Sequence, residues 1–169
     1  MGVLDNIQHD LLHGDVSSRP LLQRAKDENE VQNWIVEQIN HRSRGRLHAY
    51  REAQVALGDK PDVIVASTSA ACEVAVEIKH GGKGWTARQL EHALRVQLAI
   101  DYLKVPQRRH GAFVVTGHGR TWRDPSTRKT MTFSELMKWL SDIAKTLIDN
   151  PYGPIEVKCQ GNDASVPSS

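Results

Sequence analysis

The chain has 169 residues, 39% hydrophobic and 25% charged, which describes a single soluble globule of about the usual ~150-residue domain with a short remainder. No apolar run approaches the ~18 residues of a membrane span, and the opening MGVLDNIQHDLLHGD lacks a signal peptide's basic and apolar regions. Two cysteines, Cys72 and Cys159, exclude a disulfide framework and a Cys-rich zinc module, so a cytoplasmic protein away from membranes is expected. The net charge of +2, from 22 basic and 20 acidic residues, neither demands nor excludes a nucleic-acid partner; the distribution decides.

Val3, Leu4, Ile7 and Leu11 form one face of a short helix over Val3 to Leu12 that stops at Gly14. A polar linker through Ser17, Ser18, Arg19 and Pro20 follows, so residues 1–20 are expected to stand apart from a main domain at 21–150. Asp27 and Glu30 have capping-box spacing, and Val31, Trp34, Ile35 and Ile39 give the next helix one apolar face. Arg42 to Arg46 is a basic turn. Leu47 to Leu57 is expected as a strand, ended by Gly58-Asp59-Lys60-Pro61. Asp62 to Ala66 is a second strand, with Pro61 at its entrance where a missing N–H is tolerated. Glu73 to Lys79 then alternates strictly, the pattern of a strand with two different faces.

Thr86 and Gln89 open a second capping box, and Leu90, Ala93, Leu94 and Leu98 carry that helix to about Leu103. Gly111 to Gly117 reads as a buried strand, and Cys72 as a core residue. Thr132 and Glu135 start a last helix along Leu136, Trp139, Ile143 and Leu147. Residues 151–169, rich in Pro, Gly and Ser, are expected to be a largely disordered tail, with only Ile155-Glu156-Val157 resembling structure. The order is α-β-β-β-α-β-α, an α/β fold with a mixed sheet flanked by helices.

On the alternating strand, Val74, Val76 and Ile78 point one way while Glu77 and Lys79 project together from the other face. Asp62 opens the neighbouring strand, where it can meet Glu77. Two converging carboxylates make a hard oxygen site suited to Mg²⁺ or Mn²⁺. The adjacent ammonium can orient a water for attack on a phosphate. Glu-x-Lys alone is uninformative: Glu156-Val157-Lys158 repeats it. The alternative reading of Glu77 and Lys79 is a solvated strand face bearing one ion pair.

Pro61-Asp62 followed by Glu77-Ile78-Lys79 in this element order resembles the PD-(D/E)XK nuclease superfamily. Lys26-Asp27-Glu28-Asn29, Arg51-Glu52-Ala53-Gln54-Val55, Gln97-Leu98 with Tyr102-Leu103, and the Gly111 strand further resemble restriction-endonuclease-like domains attached to large bacterial anti-phage NTPases. The resemblance covers about Leu22 to Gly117. It implies an αβββαβ core, with Asp62, Glu77 and the Ile78 carbonyl holding Mg²⁺ or Mn²⁺ and Lys79 serving the water. It also implies that Glu28 and Gln97 act near Lys79. Glu28 lies three before Val31 and seven before Ile35, on the sheet-facing stripe, whereas Glu30 is explained by capping. Gln97 falls on the inward stripe of its helix, where a core amide bonded to backbone is the alternative.

Lys83, Trp85, Arg88 and Arg95 follow the Glu77 strand, and Arg120, Trp122, Arg123, Arg128 and Lys129 follow the Gly111 strand. As a set they suggest a rim that contacts DNA, with Lys83, Trp85, Arg88, Arg120 and Arg123 as its candidates. The expected function is a metal-dependent nuclease hydrolysing DNA, double-stranded in the first instance, in phage defence or restriction. The alternatives are an inactive nucleic-acid-binding or assembly module of the same fold, and a nuclease for RNA or DNA junctions. Control by a homo-oligomer or a regulatory protein is expected, with the Val3–Leu12 helix as the docking element. None of the eight histidines shows ligand spacing, and His80 is expected to be structural or exposed.

Overall fold

Alternating apolar patterns place successive side chains on opposite faces of a strand, so a sheet buried on both faces needs two apolar layers. The structure, a computed structural model, describes residues 3–13, 18–51, 60–148 and 154–165, and has both layers. Helices α1 (Val3–His13), α2 (Arg19–Arg24) and α3 (Glu28–Ser43) precede β1 (Leu47–Tyr50), β2 (Val63–Ser67) and β3 (Glu73–His80). A 3₁₀ turn over Gly81–Lys83 leads into α4 (Ala87–His92), which continues as a π-helical stretch over Ala93–Tyr102. Then come β4 (His110–Gly117), a small hairpin of β5 (Trp122–Arg123) and β6 (Thr130–Met131), α5 (Phe133–Leu147) and β7 (Glu156–Asp163). The protein is α/β, with a five-stranded mixed sheet in the order β1-β2-β3-β4-β7. The β1–β2 and β2–β3 pairs are antiparallel, while β3–β4 and β4–β7 are parallel.

One face packs Val76, Ile78 and Val114 under Ile7, Leu11, Leu22, Val31, Ile35 and Ile39 of the first three helices. The other packs Ile64, Ala75, Phe113 and Val115 under Leu90, Leu94, Leu98, Leu136 and Leu140. Capping sets the helix starts. Thr86 with Gln89 and Thr132 with Glu135 form reciprocal capping boxes, each cap contributing about 1 kcal/mol. At α3 the reach-back differs: Asp27 accepts from the Glu30 N–H at 3.0 Å, but Glu30 accepts from Lys26 rather than from Asp27.

Three expectations are corrected. Residues 156–163 are not a disordered tail but the edge strand β7, in register with β4 from His110 opposite Glu156 to Gly117 opposite Asp163. Their composition hides this, because Val157 and Cys159 find their apolar surroundings only against α5 and β4. The N-terminal segment is not separate either. Ile7 and Leu11 are buried in the chain's own core and Arg19–Arg24 is helical. Cys72 is half-buried rather than core. The expected helix stop at Gly14, the strand beyond Arg51 and residues 166–169 of the tail lie outside the described residues. No helix among the described residues is long and apolar enough to cross a membrane.

Candidate active site

Register builds the site. β2 and β3 pair with Val63 opposite Val76, so one step further Asp62 stands opposite Glu77. Asp62 does not continue the ladder with its backbone; its Oδ2 accepts the Ile78 N–H at 2.7 Å instead. That bond turns the carboxylate in beside Glu77. Lys79, two residues on and therefore on the same face, places its Nζ 2.6 Å from Glu77 Oε1. Phe113 and Val115 of the parallel neighbour stand opposite Glu77 and Lys79. The pair is consequently dry, with Glu77 2% and Lys79 6% exposed. The solvated ion pair of the alternative reading is thus corrected: the charges pair, but under a second layer of helices.

Burial dominates the electrostatics. It pushes Glu77 up to about 8, and the neighbouring Asp62 carboxylate adds to the rise while Lys79 opposes it. Burial also raises Asp62, against the Ile78 N–H and the Lys79 charge. For Lys79 burial works against the ammonium, but Glu77 outweighs it and holds the amine above its ordinary value. Two carboxylates that cannot comfortably both ionise beside one ammonium are a site short of positive charge. Glu77 Oε2, moreover, is buried without a hydrogen-bond partner.

These features fit a divalent cation. Asp62 and Glu77 supply oxygen donors of the kind Mg²⁺ takes in ones and twos, with the Ile78 carbonyl directly after Glu77 in the chain. Among the described residues no group of three or more His, Cys, Asp or Glu side chains is arranged to hold a metal. The donor set is therefore two carboxylates and a carbonyl at most.

Glu28 and Glu30 separate as their positions in α3 require. Glu30 remains at the exposed cap, while Glu28 Oε1 accepts from Trp85 Nε1 at 2.9 Å and from the His80 N–H at 3.4 Å. Glu28 contributes its charge to the fields at Asp62, Glu77 and Lys79. Gln32, one helical turn after Glu28, was not anticipated: its Nε2 donates to Asp62 Oδ1 at 2.7 Å and it is 7% exposed. The signal was available, because Glu28 and Gln32 are polar at i and i+4 on a face otherwise continued by Ile35 and Ile39. Gln97 is less well placed than expected. It lies in the π-helical stretch, where 3.6-residue spacing no longer applies, and its Oε1 is buried without a partner. It shares a surface depression with Trp85 and Arg88 but makes no bond to the carboxylates.

The chain leaves β3 through Gly81, where any Cβ would lie 1.9 Å from the Thr116 carbonyl oxygen, so only glycine passes this close to β4. His80 is structural. Its Nε2 donates to the Ala25 carbonyl, its Nδ1 accepts from the Gly82 N–H, and its ring stacks on His118 at 4.3 Å. Burial, and then His80, pushes His118 down to about 4.

Beside the acidic cluster runs an open groove lined by Trp85, Arg88, Arg120, Arg123 and Arg128. Asp124 also lines it, but its carboxylate is turned into its own loop by the Thr127 and Ser126 N–H groups. Among the described residues none of the four guanidinium groups is ion-paired. Arg120 donates to the Gly81 carbonyl and lies 5.6 Å over the Trp122 ring. Lys83 sits apart, in a neighbouring depression with Glu28 and Trp85. Arg95 pairs with Glu91 along its own helix and does not reach the groove. Compared with protein-family models, curated proteins and solved structures, the chain matches none.

Proposed function

We propose that the protein is a metal-dependent nuclease that hydrolyses DNA phosphodiester bonds. The observation that carries this reading is the convergence of Asp62, Glu77 and Lys79 on one point, with a buried Glu77 oxygen lacking a partner. The cationic groove beside it and the resemblance to the PD-(D/E)XK superfamily support the choice of substrate. A role in phage defence or restriction follows from that resemblance.

Bound Mg²⁺ or Mn²⁺ would supply Lewis acidity toward the phosphate and a water of lowered pKa. Asp62 and Glu77 provide the oxygens to hold it, while Gln32 and the Ile78 N–H fix the Asp62 rotamer. Lys79 would hold the attacking water and stabilise negative charge developing on it, Glu28 would add its charge beside Lys79 at the reacting centre, and Arg88, Arg120 and Arg123 would receive flanking phosphates. The test is plasmid incubation with purified protein in Mg²⁺, Mn²⁺ or EDTA, beside Lys79→Ala. Metal-dependent nicking that Lys79→Ala loses is expected; nicking by both proteins in EDTA would refute the reading.

A second reading, a nucleic-acid-binding module without chemistry, draws on one observation: Lys79 and Glu77 Oε1 are already paired with each other in a dry interior. DNA binding that persists while no metal restores cleavage would favour it.

A further inference from the structure

Glu77 and Lys79 are nearly inaccessible, yet the cationic groove lies next to them. One side chain separates the two. Trp85 lines the arginine groove, the depression beside Glu28 and Lys83, and the depression beside Gln97. Its ring lies against Lys79, with Nζ 4.8 Å from the centroid, and its Nε1 donates to Glu28. The backbone around it is held: Gly84 before it takes a left-handed turn at φ 83°, and Thr86 after it caps α4. The Trp85 carbonyl also accepts from Trp122 Nε1 at 3.0 Å. The backbone is therefore fixed, and the half-buried indole is the part that can swing about its side-chain torsions. Besides its apolar packing against the α4 and α5 layer, one hydrogen bond and one ring–cation contact hold it over the cluster. The indole stays half-buried, and several phosphate contacts along the groove can outweigh these three restraints.

We propose that the Trp85 side chain is a gate, displaced when nucleic-acid phosphates occupy the Arg88–Arg120–Arg123 groove, and that only the displaced form exposes Glu77 and Lys79 to a divalent cation. Nucleic acid and metal then bind cooperatively, because each favours the open indole. The proposal rests on the nuclease reading and adds what controls the site. In the closed form the acids are sealed whether or not metal is present, which restrains cleavage until substrate is in the groove.

The full-length chain is tested in two ways without measuring cleavage. In EDTA, lysines are acetylated briefly and the rate at Lys79 is read by mass spectrometry against Lys83, which is exposed. Mn²⁺ affinity is measured from free-ion electron paramagnetic resonance, with and without a phosphorothioate DNA duplex. For a gate open roughly a tenth of the time or less, Lys79 should react at least ~10-fold slower than Lys83, and duplex should tighten Mn²⁺ binding by ~10-fold. Trp85→Ala should abolish both differences. Trp85→Phe, which retains the ring and loses the Glu28 bond, should fall between and serves if the alanine variant is unfolded. Lys79 reacting as fast as Lys83 in the native protein, or Mn²⁺ affinity indifferent to duplex, overturns the gate while leaving the nuclease reading intact. Mn²⁺ binding that survives Glu77→Gln, or that is absent from native protein and Trp85→Ala alike with duplex present, overturns the nuclease reading itself.

Discussion

The chain carries Glu-x-Lys twice, on two strands that both pair with β4, and the two copies differ in their surroundings. Glu77 and Lys79 lie on β3, flanked by β2 on one side and β4 on the other, under a helical layer. Glu156 and Lys158 lie on β7, at the edge of the sheet, where both are exposed. Lys79 meets Glu77 of its own strand, with Asp62 set opposite by register. Lys158 instead reaches Asp5 of α1 at 2.7 Å, in an ion pair whose partners are 43% and 33% exposed. A tripeptide acquires a shifted pKa and an unsatisfied oxygen only when strand pairing adds a second carboxylate and removes the water. That is why the central copy is the candidate for chemistry and the edge copy a surface contact.

Substitutions can break this comparison, and the largest effect should be on activity. Lys79→Ala and Glu28→Gln should each lower plasmid cleavage by ~10²-fold or more if both act at the reacting centre, whereas Lys158→Ala and Glu30→Gln should leave it within about twofold. Initial nicking rates in Mg²⁺ decide the matter, and equal losses at Lys79 and Lys158 would erase the distinction between the copies.

Stability comes next. Removing Lys79 strands a buried carboxylate, so Lys79→Ala should cost about 3–5 kcal/mol at pH 8.5 and less at pH 6, where Glu77 takes up a proton instead. Urea unfolding at the two pH values measures both the loss and its trend.

The third expectation is a pH dependence whose sign follows from a raised carboxylate. Between its ordinary 4.5 and about 8, folded Glu77 retains a proton that the unfolded chain has lost. The folded state therefore binds more protons, and stability falls as pH rises through that window. Metal-free melting temperatures should drop from pH 5 to pH 8, Glu77→Gln should flatten the slope, and Glu156→Gln should not. In Trp85→Ala, where the site is open, added Mg²⁺ should oppose the drop, because it favours the ionised pair.

The smallest effect sharpens the edge copy. A double-mutant cycle on Asp5 and Lys158 should return about 0.2–1 kcal/mol and shrink with salt, as an exposed pair does. A coupling that salt does not change would mean the edge is more buried than it looks.

Local chemistry made much of this molecule readable in advance. The strict alternation of Glu73 to Lys79, the continuous run from Gly111 to Gly117 and the Thr86 and Thr132 caps are short-range patterns, and each became the expected element. So did the pairing of Glu77 with Lys79 on one face, since two-residue periodicity alone determines it. The different surroundings of Glu28 and Glu30 were likewise legible from helix register. What required the tertiary structure were the facts that depend on a second segment. β7 is a strand because β4 offers it a ladder and α5 a surface, neither of which its Gly- and Asn-containing sequence announces. α1 is part of the core because α2, α3 and the sheet accept Ile7 and Leu11. Gln32 joins Asp62, and Trp85 closes over Lys79, across 30 residues of chain in one case and between strand and helix layers in the other. The depth of Glu77 and Lys79 belongs here too: periodicity says which way a side chain points, but only the packing of a parallel neighbour and a covering helix says how much water it keeps.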